Sequence, residues 1–423
     1  MKLLLFFLLA FFLAQVQGQV FKAGAAKRSI DPDHLIAISG GMGKPVMPVG
    51  KAGLLSVRAL VVEKGETRVA FVSIDNLGWP SFLGDQARKL VAGIKPENIL
   101  IGATHAHSAP DAYGFPDEQG KINIDEPYLK WCVSQMAAAI NEAVINLEPA
   151  TLKTAVAEAK GKIAFNYYAE RLYDPRCGVI QVTASTGKHI GENIATLVNY
   201  ATHPEILGTD RKLLSPDLCG PLYDRIEAKG GGIAIFMNSA QGGMVTADTR
   251  LESGKEANDW NECIRIGNLL ADEALRIVKD AAVIENADLY CAAQKITFPV
   301  ESAGMRQVLA LSPFVQNTRN EGDKYYISSI LNLVNLGKAQ IITIPGEALP
   351  NIGFYLKRKM KTSQPFLFGL TNDSFGYMLV KVDFNSFERY NYVSRVCLGE
   401  MTGEILIEEE LKMVNTNPAP GKD

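Results

Sequence analysis

Seven apolar runs rich in β-branched residues recur along the chain, at 57–62, 68–74, 98–103, 195–201, 232–237, 339–344 and 365–370. Their flanks are polar or turn-forming, the pattern of buried strands. Helical stripes lie between them. After Asp125, the residues Leu129, Val133, Met136, Ile140, Val144 and Leu147 recur at spacings of three and four and make one apolar face. Asp125 can cap that helix, and Pro127 fits its first turn. Further helices are predicted over 216–228, 257–279 and 349–360. Strands and helices alternating in this way constrain the chain to an α/β architecture with a mixed central β-sheet flanked by helices. No repeat or linker divides residues 19–414, which read as one domain. Residues 415–423, mostly Asn, Pro and other small or polar types, predict a frayed tail.

With 47% hydrophobic residues the chain can build a large core, and a net charge of −3 offers no footprint for nucleic acid. Residues 1–18 read as an export signal. Lys2 supplies the positive start, 3–13 is almost wholly apolar, and Val16-Gln17-Gly18 ends in a small residue. The apolar run is well short of the ~20 residues that span a bilayer, and no later segment is long and apolar enough. The expectation is a chain cleaved near Gly18 and secreted or periplasmic. The six cysteines, Cys132, Cys177, Cys219, Cys263, Cys291 and Cys397, permit up to three disulfides in such a compartment. They contain no CxxC, so they do not form a zinc knuckle. Cys132 and Cys263 sit among core-type residues and equally fit free buried thiols.

Only five histidines exist, His34, His105, His107, His189 and His203, and three of them directly follow apolar runs. Residues 98–104 lead into His105-Ala106-His107, and 195–202 lead into His203-Pro204. Ligands of open α/β sheets bind outside the carboxyl ends of strands. Two histidines at i and i+2 on extended backbone point to the same side, which suits metal binding or a ligand beside a proton-transfer group. Other strand ends carry Glu347 after Pro345-Gly346, Tyr377 after Thr371-Asn372-Asp373, and Asp75. Glu347 could equally serve the start of the following helix. Ser215 and Asp217 could cap a helix or orient a ligating histidine.

Taken in order, Ala23-Gly24-Ala25, Val72-Ser73-Ile74-Asp75, the 103–110 segment Ala-Thr-His-Ala-His-Ser-Ala-Pro, Tyr200-Ala201-Thr202-His203-Pro204 with Leu214-Ser215-Pro216-Asp217, Ile344-Pro345-Gly346-Glu347, and Gly369-Leu370-Thr371-Asn372-Asp373 with Gly376-Tyr377 resemble the catalytic domain of neutral (alkaline, non-lysosomal) ceramidases. The resemblance implies one catalytic zinc ion held by His105, His203, Glu347 and Tyr377. His107 would lie by the substrate carbonyl. A further tyrosine would bind the developing oxyanion, with Tyr392 the better match and Tyr390 a competitor. It also implies a lipid or small-molecule substrate, transient contact with a membrane surface, and hydrolysis of an N-acyl amide by activated water.

The chain departs from the family pattern in places that would grip the substrate. Asn166 is followed by Tyr167 and Tyr168 rather than arginine, leaving Arg171 as the nearest substitute. The family's Gln-Gly-Asp reads Gln241-Gly242-Gly243, and Val245 stands where the family has a serine. No segment corresponds to the family's C-terminal β-sandwich. Cleavage of an ester or a non-lipid amide, and a binding protein without turnover, remain open alternatives at this stage, as does the oligomeric state.

Overall fold

The computed structural model describes residues 19–41, 44–114 and 121–421; the expected export signal lies outside them. The main sheet has eight strands: β1 (Lys22–Ser29), β2 (Ser56–Lys64), β3 (Thr67–Ile74), β4 (Ile99–Ala103), β5 (Glu148–Glu158), β6 (Arg176–Ala184), β7 (Asn193–Tyr200) and β8 (Ile233–Asn238). Their spatial order is β8-β7-β6-β5-β1-β2-β3-β4. The outer pairs β8/β7 and β3/β4 are parallel, and the pairings between them are antiparallel. A smaller sheet is built from β9 (Leu289–Pro299), β10 (Thr318–Glu321), β11 (Lys324–Leu336), β12 (Ala339–Thr343) and β13 (Gln364–Phe368), in the order β9-β11-β12-β13 with β10 beside β11.

The two sheets share one apolar layer. Leu60, Phe71, Leu100, Leu197, Ile235 and Met237 from the first meet Val334, Leu336, Ile341, Phe366 and Phe368 from the second. Helices α1 (Ser81–Lys89), α2 (Glu126–Ile145), α3 (Cys219–Ala228) and α4 (Trp260–Lys279) cover the other face of the main sheet. Helices α5 (Ala303–Leu311), α6 (Pro350–Lys359), α7 (Asn391–Arg395) and α8 (Thr402–Thr416) lie with the smaller one. The mixed α/β fold with a large central sheet flanked by helices is therefore as the strand–helix alternation predicts. The second sheet is an addition, because β9 and β11 are partly exposed and lack a continuous apolar run.

Local chemistry explains the helix starts. Asp125 accepts from Tyr128 N at 2.9 Å, with Pro127 in the first turn of α2. Asp259 accepts from Glu262 N at 3.0 Å, so α4 begins at Trp260 rather than near 257. The expected frayed tail instead continues α8 to Thr416. It is then held by Tyr290 Oη on Asn417 at 2.6 Å and Asn335 Nδ2 on Pro418 O at 2.8 Å. All six cysteines are free thiols, and only Cys291 is not fully buried.

The main sheet coils so strongly that its edge strand β8 returns against β2 and β3. Ser73 Oγ donates to Phe236 O at 2.6 Å, and Arg58 Nη1 donates to Ala234 O at 3.0 Å. This closure brings the carboxyl ends of β4 and β7 together, although they lie far apart in strand order.

On α8, Glu410 is fully buried and neither carboxyl oxygen has a hydrogen-bond partner. Burial pushes its carboxyl well above the usual value. The folded protein then holds a proton that the unfolded chain releases as pH rises past about 4.3, so stability falls as pH climbs toward the folded value, by up to about 1.4 kcal/mol per pH unit. Glu410→Gln removes that dependence. Its melting temperature should exceed that of the parent by a margin that widens from pH 5 to pH 8, as calorimetry would show.

Candidate metal centre and catalytic pocket

β4 delivers Thr104 and His105, and β7 delivers Thr202 and His203. One buried side chain joins the two strand ends. Asn238, at the end of β8, donates through Nδ2 to Thr202 O at 2.8 Å and to Thr104 O at 3.2 Å. Its Oδ1 accepts from Ser239 N at 3.0 Å.

The histidine pair does not run on extended backbone as its spacing suggested. His105 has φ of 68°, a left-handed conformation that a side chain with a Cβ adopts only at a cost. Its amide donates to Asn76 O at 3.0 Å, and its Nδ1 lies 2.6 Å from Leu77 O. The kink still brings the rings of His105 and His107 to 4.8 Å between centroids. His105 and His203 are 5.0 Å apart.

His203 is fixed in the same manner, with Nδ1 2.7 Å from Val245 O. A backbone carbonyl accepts only, so the proton of a neutral ring sits on Nδ1 and each Nε2 keeps its lone pair. Both Nε2 atoms face Glu347 Oε2, His203 at 3.0 Å and His105 at 3.7 Å. Metal-bound histidines are oriented by the same kind of carbonyl acceptor.

Glu347 follows β12 and lies in a short parallel pair with the Tyr377 strand, in direct register with Tyr377. Gly242 N donates to Ala348 O at 3.0 Å, and a Cβ on Gly242 would sit 2.3 Å from Glu347 O. Only glycine allows that approach. Met244 follows at φ 69°, and Tyr377 Oη lies 3.5 Å from its sulfur.

The electrostatics are those of a buried cluster. Burial, with the other rings, lowers His105 to about 4. Burial and His203 lower His107 to about 3. Burial also acts on His203, but its hydrogen bond to Glu347 and the charges of Glu205 and Glu347 outweigh it and raise the ring to about 9. Glu347 stays below the usual carboxyl range despite burial, because His105 and His203 favour its charge. The charge of this coupled pair rests on Glu347 and His203. His203 must give up its proton to bind a metal.

Three imidazoles and a carboxylate are the donor chemistry of zinc. Among the described residues, the metal-capable nitrogens of His105, His107 and His203 lie within 4.8 Å of one another. His107, read from the sequence as a neighbour of the metal rather than a ligand, is thus close enough for either place. Its Nε2 is buried and has no hydrogen-bond partner.

The same pocket takes in His105, His107, Glu347, Tyr377 and Tyr392, with Met305, Val308, Leu309 and Val396 as apolar lining. Tyr392 packs edge-on to Tyr377 at 5.9 Å, and burial pushes its hydroxyl up to about 12. Tyr390 instead packs on Phe387 at 4.3 Å and on Tyr168 at 5.9 Å, outside the pocket lining. Arg171 is exposed, and the arginines grouped with Tyr167, Tyr168 and Tyr392 are Arg389 and Arg395.

Other strand-end residues support rather than line the pocket. Asp75 accepts from Ser56 N, Ser56 Oγ and Tyr223 Oη, and burial raises it to about 6. Asp217 does not cap α3 as expected. It accepts from Leu207 N at 2.9 Å and Leu218 N at 2.8 Å, holding the loop that follows His203. Ser215 N donates to Ser108 O at 2.9 Å, which ties that segment to the His105–His107 loop. Sequence reasoning passed over Asn238 and Glu205. Asn238 carried the same signal as the histidines, a polar residue at the end of an apolar run.

No protein-family model and no curated protein sequence matches the chain. Two solved structures do match in fold. One is the crystal structure of neutral ceramidase from Pseudomonas aeruginosa, with a TM-score of 0.76 at 15% identity, covering 96% of this chain and 76% of that one. The other is a ceramidase complexed with C2, with a TM-score of 0.75 at 15% identity and the same coverage. At this identity the likeness establishes that the chain has the fold of those ceramidases.

Replacing Asn238 by Ala leaves buried carbonyls of both histidine-bearing strand ends short of a donor. The expected loss is about 1–3 kcal/mol of stability, with zinc affinity falling roughly 10–100-fold. Chemical denaturation and a zinc titration on the same variant check this, and unchanged zinc affinity would refute the clasp.

Proposed function

We propose that this chain is an exported, zinc-dependent hydrolase that cleaves an N-acyl amide bond, with ceramide-like lipids as the substrate class. One observation carries the reading. His105 and His203, each anchored through Nδ1 to a backbone carbonyl, converge through Nε2 on a single oxygen of Glu347 beside an apolar-lined pocket. Tyr377, the register partner of Glu347, completes the proposed ligand set.

When bound there, zinc would lower the pKa of a water molecule to about 7 and polarise a carbonyl. The protein's own groups supply the rest. His107 lines the pocket with a buried, unpartnered Nε2. It is placed to take a proton from the attacking water and return it to the leaving nitrogen. Tyr392, neutral at physiological pH, offers a hydroxyl to the oxyanion. Met305, Val308, Leu309 and Val396 give the pocket an apolar side suited to an acyl chain. The shared fold with the two ceramidases supports this substrate class, and the charged start and apolar run of residues 1–18 support export.

The test is a panel of N-acyl amides and matched esters, assayed alongside metal analysis. The parent should carry about one zinc per chain and cleave the amides. His105→Ala should lose both the metal and the activity. Tyr392→Phe should keep the zinc and lose about 10²–10³-fold in kcat with KM little changed. Amide hydrolysis that survived His105→Ala, or cleavage of esters alone, would overturn the proposal.

A further inference from the structure

Which nitrogen of His107 carries the proton decides what that ring can do. A neutral ring with its proton on Nε2 can donate to a carbonyl oxygen but cannot accept from water. With its proton on Nδ1 it presents a lone pair to the pocket. For His105 and His203 the tautomer is set by a backbone carbonyl. His107 has no such carbonyl. The group at its Nδ1 is the carboxylate of Glu205, with Oε2 at 3.2 Å.

Three features hold these two side chains in place. His107 N donates to Pro204 O at 2.9 Å, so the loop carrying Glu205 is pinned to the loop carrying His107. Asp217, accepting from Leu207 N at 2.9 Å, fixes the far side of the Glu205 loop. Glu205 itself lies between His107 and an outer cleft shared with Tyr167 and Met244. Its carboxylate is about one-quarter exposed, so it retains some hydration while touching the ring.

We propose that Glu205 is a positioning residue for His107. It accepts from Nδ1–H and thereby holds the proton on Nδ1, leaving Nε2 as the lone pair that faces the pocket. An ionised carboxylate has no hydrogen to donate, so a contact with neutral Nδ1 favours only this arrangement. His107 then serves the reaction first as a base. When Nε2 takes a proton from water, Glu205 balances the charge of the imidazolium across the ring, as the third member of a catalytic triad does. The same proton leaves from Nε2 to the departing nitrogen, so ring and carboxylate end as they began. Oxyanion donation falls to Tyr392. This inference rests on the hydrolase reading above for its catalytic part and on geometry alone for the tautomer.

The experiment separates the two. With only five histidines in the sequence, the ring nitrogens of ¹⁵N-histidine-labelled, zinc-loaded protein can be assigned with a His107→Gln control. The parent should show His107 with a protonated-type Nδ1 signal and an unprotonated-type Nε2 signal. Glu205→Ala should move the ring toward the Nε2–H form, and Glu205→Asp should restore the parent pattern. In the amide assay, Glu205→Ala should lower kcat about 10–100-fold while KM stays within about threefold and the zinc content is unchanged. Glu205→Asp should recover part of that loss. An Nε2–H signal in the parent would overturn the proposal, as would a tautomer indifferent to Glu205→Ala. Loss of zinc in Glu205→Ala would also overturn it, since His107 would then be a ligand. If the parent cleaves no amide, the hydrolase reading fails and the NMR result still decides the role of Glu205.

Discussion

The site depends on Asn238. Its side-chain amide donates to the last carbonyls of two strands that stand at opposite sides of the main sheet. Without that pair of bonds the coiled sheet would bury two carbonyl groups short of a donor at the point where His105 and His203 leave it. A buried amide with its donors used in this way is costly to replace, because an apolar substitute satisfies neither carbonyl. The clasp converts the curvature of the sheet into a short distance between two histidines. Asn199 acts similarly one strand away, donating to Met237 O, Asn238 O and Leu367 O, so that the smaller sheet is tied to the same corner.

What this frame holds is an unfavourable cluster by itself. Three rings and a carboxylate sit in a region shielded from water, and His105 carries left-handed backbone. Such features persist only where the surroundings over-determine them. Here the surroundings are specific. Carbonyls hold His105 and His203 by Nδ1, Gly242 lets the backbone close on Glu347, and register places Tyr377 beside Glu347. A divalent cation would favour the unprotonated imidazoles and the ionised carboxylate together, offsetting the repulsion and desolvation that now separate their ionisation.

Much of this was legible in the sequence, for physical reasons. Buried strands announce themselves by apolar runs, and the same runs mark where side chains can meet outside their ends. That is how His105, His203 and Glu347 could be grouped although they are far apart in the chain. The strands β9 and β11 were not legible, because one face of each is wet and the pattern dilutes. The left-handed turn at His105 was hidden as well, since spacing of two suggests extended chain unless tertiary contacts intervene. The roles of Asn238 and Glu205 depend on which groups face each other across loops. A linear pattern does not carry that information. The pocket-facing choice between Tyr390 and Tyr392 was of the same kind, and packing resolves it: one stacks on Phe387 and Tyr168, the other on Tyr377.

The central claim is that these converging side chains hold one metal ion. Anomalous diffraction at the zinc edge, on crystals grown with the metal, addresses it directly. The account predicts a single strong peak about 2.0–2.1 Å from His105 Nε2 and from His203 Nε2, also bonded to Glu347 and Tyr377. An anomalous map with no peak between those side chains, or with its only zinc at a surface group such as His34 or His189, would contradict it.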